Sequence, residues 1–309
     1  MEKILATPRS FGKASREPIE MLEKAGYKVI LNPVGKILDE EEMKKYIADV
    51  VGIVIGVDPL NAAVLDCAKN LKAISKYGVG TDNIDLEKAK ELGIPVSITA
   101  GANSNAVADY AFALMMACAR RVTEINAKCK QKEWKKITTT DVYGKTMGIL
   151  GLGAIGKGVA KRAQGFGMKV LAYDVFWNEE YAKANDIIYA TPEEIYQSCD
   201  FITLHLPLTP ETKNMIGYEQ FCMMKPTAVF VNTARGGVVD EDALVRALKE
   251  GKIYGAGVDA FSSEPPANEE LYTLDNLIMG SHCAASTTGA VEAMGRMAAQ
   301  NLLKSLGKA

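Results

Sequence analysis

The sequence predicts an α/β protein with two parallel-sheet arrays in a chain of 309 residues. Three observations carry this reading. Short β-rich runs alternate with helix-length stretches over the N-terminal third, the alternation restarts at Lys145, and a glycine-rich turn opens the second array between a strand and a helix. A chain of this length fits two domains, each large enough to bury a core.

The first array reads in order. Strands are expected at KILAT (3–7), KVILN (28–32), VGIVIG (51–56), LKAISKYG (71–78) and IPVSI (94–98). Helices are expected around Pro18–Ala25, Asp39–Ala48, Asn61–Ala68 and Asp85–Leu92. Next comes 105–121, apolar nearly all round, which suits an interdomain strut, a subunit interface or an ordinary core helix. Its apolar surface looks too large for a lone subunit to hide, so a homodimer burying this helix is expected. The second array places strands at TMGIL (146–150), MKVLAY (168–173), DFITLHL (200–206), TAVFVN (227–232), IYGAGVDA (253–260) and NLIMGSH (276–282). A helix, AIGKGVAKRAQGF, follows the first of these.

Composition narrows the class. Apolar residues make up 48% and charged residues 24%, with a net charge of −2, so a soluble globular protein is expected. The charges are scattered, which gives no electrostatic case for nucleic acid or an anionic membrane as partner. No secretory leader is read at the N-terminus, and Tyr110–Ala119 is too short to span a bilayer. Six cysteines without a C-x-x-C pair fit a reducing cytoplasm. With two histidines, His205 and His282, no metal site is expected.

The turn GLGAIG places Gly151, Gly153 and Gly156 in G-x-G-x-x-G spacing, with Ala154 and Ile155 between. The motif follows a strand, opens a helix and precedes a second strand that ends in Asp174, about twenty residues on. That is the context of a Rossmann-like dinucleotide site. Gly151 permits the tight turn, Gly153 lacks the Cβ that would block a pyrophosphate, and Gly156 lets helix and strand pack closely. Asp174 suits the two ribose hydroxyls and repels a 2′-phosphate, and Val175, Phe176 and Trp177 offer no arginine for one. NAD is therefore expected over NADP.

Ligands of open α/β sheets gather at the carboxyl ends of strands. There the sequence puts His205, Arg235, Asp259 and His282, with Glu264 shortly after. A 2-keto acid reductase needs an arginine to grip the carboxylate, a proton donor beside the carbonyl and a carboxylate behind that donor. Arg235, a histidine and Glu264 can fill these roles. Pattern alone does not choose between His205 and His282.

The chain resembles the D-isomer-specific 2-hydroxyacid dehydrogenase family, and within it the phosphoglycerate dehydrogenase-like branch. The resemblance runs from about residue 50 to 300, over YGVGTDNID (77–85), GLGAIG with Asp174, HLPLTPET (205–212), NTARGGVVDEDAL (232–244), GAGVDAFSSEPP (255–266) and SHCAAST (281–287). It implies roles. Arg235 binds substrate, His282 is the general acid/base and Glu264 is its partner. Asp259 meets the nicotinamide carboxamide, His205 belongs to the cofactor side, and Pro207, Thr212, Thr233 and Ala234 contact the cofactor. Val79 and Gly80 present backbone amides to the substrate carboxylate, with Asn103 as polar neighbour and Lys76 as a basic residue of the substrate site. The resemblance further implies two Rossmann-like/flavodoxin-like domains. The substrate domain is discontinuous (1–100 plus 287–309), with an NAD domain (101–286) inserted, through which the family dimerises.

Departures and rivals follow from the same blocks. Ser281 and Ala284 stand where the family commonly has Pro and Gly, and no C-terminal regulatory domain is expected. Asp58 stands where phosphoglycerate enzymes carry an arginine, whereas Arg9, Ser10, Lys13 and Arg16 on the first loop offer another anion site. A substrate with a second anionic or strongly polar group at C3 is therefore expected. Formate dehydrogenase is rejected, because it would carry an amide in place of Glu264. A hydroxypyruvate or glyoxylate reductase stays open. An NAD-sensing corepressor is disfavoured by the complete Arg–Glu–His set.

Overall fold

The computed structural model describes residues 1–308, which divide into two compact units. One is Met1–Asn103 together with the chain from Ser286 onward; the other is Ser104–Ala285.

The first unit is a five-stranded sheet of β1 (Lys3–Ala6), β2 (Lys28–Leu31), β3 (Gly52–Ile55), β4 (Ala73–Lys76) and β5 (Val96–Ile98). The order is β2-β1-β3-β4-β5 and every pairing is parallel. This is the flavodoxin-like arrangement. Its crossovers are α1 (Glu17–Lys24), α2 (Glu40–Ile47), α3 (Ala62–Cys67) and α4 (Leu86–Glu91). Side-chain caps start three of them: Asp39 in a reciprocal capping box with Glu42, Asn61 on Val64 N and Asp85 on Lys88 N. Both faces of the sheet are apolar because both are covered. Leu5, Ile53, Ile55 and Ile74 pack with Met43, Ile47, Val64 and Leu65. Their pleat neighbours Ile4, Ala6, Val54 and Ala73 pack with Ile19 and Leu22 of α1 and with Ala298, Ala299 and Leu302 of the closing helix, Thr288–Ser305.

The second unit opens with α5 (Ser104–Ala119) and α6 (Val122–Lys130). Its sheet comprises β6 (Thr146–Leu150), β7 (Lys169–Tyr173), β8 (Ile187–Tyr189), β9 (Phe201–Leu204), β10 (Val229–Asn232), β11 (Gly255–Val258) and β12 (Leu277–Met279). Five helices connect them: α7 (Ala154–Gly165), α8 (Glu179–Ala184), α9 (Pro192–Ser198), α10 (Tyr218–Met223) and α11 (Glu241–Lys249). The closing helix of the first unit is α12. The all-parallel order β12-β11-β10-β9-β6-β7-β8 reverses direction between β6 and β9. It is the Rossmann order with one strand added, and ligands of such sheets collect at that reversal.

Two expectations need correction. The helix expected over 105–121 ends at Ala119, and Arg121 takes a left-handed φ of 45° before α6 begins. Nor does α5 leave a bare apolar face. Ala108, Ala111, Phe112, Leu114 and Met115 are buried in the unit's own core, against α7 and strands β10 and β11. From 105 to 119 the exposed residues are Asn105, Asp109 and Ala113. It is a core helix, and its composition is no argument for a dimer. The sequence reading also passed over β8, whose three residues at the sheet edge are too few to show a period.

Candidate active site

Six strands of the second unit end in the residues singled out above. Gly151 follows β6, Asp174 follows β7, His205 follows β9, Thr233 follows β10, Asp259 follows β11, and His282 stands three residues beyond β12. The parallel sheet alone therefore brings them to one edge.

The β6–α7 turn is built around absent side chains. Gly151 has φ of +101°, and a Cβ there would lie 2.6 Å from the His205 carbonyl oxygen. A Cβ on Gly156 would lie 2.1 Å from the Gly151 oxygen, whereas one on Gly153 would meet nothing within 4 Å. Gly153 is thus open space at the N-terminus of α7, whose free N–H groups and dipole suit an anion. Ala154 and Ile155 form the first turn of that helix. Asp174 accepts hydrogen bonds from Leu152 N (2.7 Å) and Phe176 N (3.3 Å), which fixes its carboxylate beside the glycine turn. His205 Nδ1 and Thr233 Oγ1 are buried without a hydrogen-bond partner among the described residues. Buried polar atoms are normally paired. Orphans at two adjacent strand ends, beside a glycine cradle, fit a polar ligand such as a dinucleotide.

Burial pushes the His205 imidazole down to about 3, and its Nε2 lies 3.1 Å from Thr203 Oγ1. It is a neutral ring. Pro207 and Thr212 close a turn, Thr212 Oγ1 donating to the Pro207 carbonyl at 2.6 Å. Ala234 N donates to Asn232 Oδ1, while Asn232 Nδ2 donates to the Arg235 carbonyl. Asn232 is fully buried and shapes the 233–235 turn, a role the sequence reading missed; its signal was a polar residue closing the apolar run VFV.

His282 and Glu264 meet directly. His282 Nδ1 lies 2.9 Å from Glu264 Oε1 and 3.0 Å from Oε2. The hydrogen bond to Glu264 raises the His282 imidazole above its ordinary value against the opposing effect of burial; the charges of Glu264 and Asp259 add to the rise and Arg235 subtracts from it. For Glu264, burial pulls upward, but the His282 hydrogen bond, the His282 charge and the Phe261 N–H together leave the carboxyl below its usual range. Gly236 allows the arginine turn to reach this loop, since a Cβ there would lie 2.0 Å from the Phe261 carbonyl carbon. Arg235 is half-buried, with Nη1 donating to the Ala234 carbonyl at 2.7 Å.

Asp259, 1% exposed, accepts from Cys283 N at 3.0 Å and Ala284 N at 2.8 Å. Those two bonds hold the turn that carries His282, whose φ of 55° lies in the left-handed region. Ala284 occupies its position without a positive φ, so glycine is not required there.

In the first unit, Gly78 (φ +136°) donates to Thr99 Oγ1, and Val79 and Gly80 follow on an accessible loop. Asn103 Oδ1 is buried without a partner among the described residues. Arg9 and Lys13 are exposed, and neither forms an ion pair among the described residues. Lys76 and Asp58 differ from expectation. Lys76 is 5% exposed and its Nζ donates to the Gly56 carbonyl and to Asn83, so its ammonium is held inward rather than offered to a substrate anion. Asp58 is 2% exposed, accepting from Thr7 and from Leu38 N, so it does not oppose an anion at the surface.

Residues 112–284 match the family model described as D-isomer specific 2-hydroxyacid dehydrogenase, NAD binding domain. The chain belongs to that family. Among curated relatives of these dehydrogenases, it is 44% identical to a glyoxylate reductase of Korarchaeum cryptofilum over 253 residues, covering 80% of this chain and 76% of that one. It is 43% identical to a D-3-phosphoglycerate dehydrogenase of Methanocaldococcus jannaschii over 286 residues, 90% of this chain but 55% of the archaeal protein. Of solved dehydrogenase-fold structures, the TT0316 protein of Thermus thermophilus superposes with a TM-score of 0.90 at 37% identity, over 99% of this chain and 97% of that one. Both units thus have the family's α/β parallel-sheet fold.

Proposed function

We propose that the chain is an NAD-dependent dehydrogenase that interconverts a small D-2-hydroxy acid and its 2-keto acid, with Arg235, Glu264 and His282 as the catalytic set. The observation that carries this is the His282–Glu264 pair with the arginine turn packed against the same loop. Glu264 engages Nδ1, which leaves Nε2 for the substrate. In oxidation Nε2 takes the hydroxyl proton, and Glu264 stabilises the imidazolium that forms. In reduction the same nitrogen returns the proton to the carbonyl oxygen. Arg235 grips the carboxylate and orients C2. The chemistry that NAD supplies when bound is hydride transfer at C4 of the nicotinamide. Gly151, Gly153, Ala154, Ile155 and Gly156 are proposed to hold the pyrophosphate, Asp174 the adenosine ribose, and His205, Pro207, Thr212, Thr233, Ala234 and Asp259 the remainder. Asp174 favours NAD over NADP. In the first unit, the Val79 and Gly80 amides and Asn103 are proposed to serve the substrate carboxylate.

For the substrate we propose a phosphoglycerate-type 2-hydroxy acid carrying an anion at C3, served by the exposed Arg9. Likeness to a glyoxylate reductase favours a second reading, a glyoxylate or hydroxypyruvate reductase. A screen of NADH oxidation over 3-phosphohydroxypyruvate, hydroxypyruvate, glyoxylate and pyruvate decides between them. No turnover with any of the four would refute both substrate readings.

A homodimer is also proposed, on new grounds. Trp134 and Tyr143 of the second unit are 85% and 82% exposed, an unusual state for such large rings. Six unpaired cysteines support a reducing, cytoplasmic location. Among the described residues no helix is long and apolar enough to cross a membrane.

A further inference from the structure

Four loops of the first unit leave its sheet at the carboxyl edge, and a buried polar knot ties them together. Lys76, the last residue of β4, donates to the Gly56 carbonyl (2.5 Å) after β3 and to Asn83 Oδ1 (2.6 Å) in its own following loop. Asn83 Nδ2 in turn donates to the Gly56 and Asp58 carbonyls at 3.1 and 2.5 Å. Thr7, just after β1, donates from Oγ1 to Asp58 and accepts from Gly56 N at 3.0 Å. Asp58 accepts from Leu38 N at 2.8 Å, on the loop after β2, and Asn32 Nδ2 donates to the Thr7 carbonyl at 2.8 Å.

A lysine and an aspartate taken out of water are costly unless each is fully satisfied. Fully satisfied, a polar network of this kind rigidifies the segments it ties. The loop it fixes runs from Tyr77 to Ile84 and includes Val79 and Gly80. Its other end is held separately, Gly78 to Thr99 and Tyr77 Oη to the Val291 carbonyl.

We propose that Lys76 is a positioning residue: through Asn83 and Gly56 it holds the 77–84 loop so that the Val79 and Gly80 amides are set for the substrate carboxylate. This rests on the proposed carboxylate role of those amides, and the test separates the two. Lys76→Met keeps an unbranched side chain one atom shorter and removes the ammonium. Hydrogen–deuterium exchange over 77–84 should quicken at least tenfold relative to the second unit. KM for the 2-keto acid should rise at least tenfold, with kcat and the Kd for NADH within threefold of wild type. Unchanged exchange overturns the claim that Lys76 holds the loop. Faster exchange with an unchanged KM overturns the claim that the loop's geometry serves the substrate, and leaves the NAD-dependent reading standing. Should Lys76→Met fail to fold, Lys76→Met with Asp58→Asn removes both buried charges and is read in the same way.

Discussion

At the scale of single residues the proposed chemistry turns on one pair. Because Glu264 raises His282 above its ordinary value, the imidazolium that the proposed reduction needs persists to higher pH, and reductive activity should fall as pH rises through that raised value. Glu264→Gln removes the cause, so the falling limb should move to lower pH; an unmoved profile in kcat against pH would contradict the pairing. His282→Gln should lower kcat by about 10²–10⁴ while NADH still binds, as fluorescence titration would show. A comparable loss from His205→Gln would point to the wrong histidine, but a ring pushed down to about 3 is a poor acid at neutral pH. On the role proposed for Asp174, NADH should exceed NADPH by at least tenfold in kcat/KM, about 1.4 kcal/mol or more, and Asp174→Ala should narrow the gap. Equal rates with both cofactors in the wild type would dispose of that assignment.

Elements decide which of these residues could be read ahead of the structure. The strand ends were legible because each buried run is apolar and closes on a polar residue or a glycine, as VFVN and GAGVD do. What was illegible depends on atoms distant in sequence. That Lys76 turns inward follows from a carbonyl at Gly56, just past the adjacent strand β3, and no local pattern encodes it. The α5 helix looked like an interface because composition reports how much apolar surface exists, not which partner covers it. The β6–α7 turn offers a test at this scale. Gly156→Ala drives a Cβ into the Gly151 carbonyl and should lower both thermal stability and NADH affinity. Gly153→Ala meets no protein atom within 4 Å, at a φ of −74° that alanine accepts. It should leave Tm within about two degrees while weakening NADH at least tenfold, if a pyrophosphate lies there. Loss of both properties in both variants, by thermal denaturation and fluorescence titration, would remove the distinction.

On the scale of the whole molecule, exposed rings and an exposed arginine make the predictions. Trp134→Glu with Tyr143→Glu should convert a dimer into a monomer in sedimentation velocity; a wild type already monomeric at micromolar concentration would contradict the dimer. Arg9→Ala should selectively weaken a substrate with a C3 anion and spare pyruvate, and equal effects on both would return Arg9 to the solvated surface. The closing helix has a consequence in time. A ribosome makes β1–β5 first, yet the face formed by Ile4, Ala6, Val54 and Ala73 waits for Ala298, Ala299 and Leu302. All of Ser104–Ala285 is synthesised in between, on the order of ten to forty seconds at ordinary elongation rates. At the end of that interval the second unit has its whole sequence, while the sheet face of the first is covered by α1 alone. A premature stop before Thr288 would leave that face half-covered, its Ala298, Ala299 and Leu302 contacts never made.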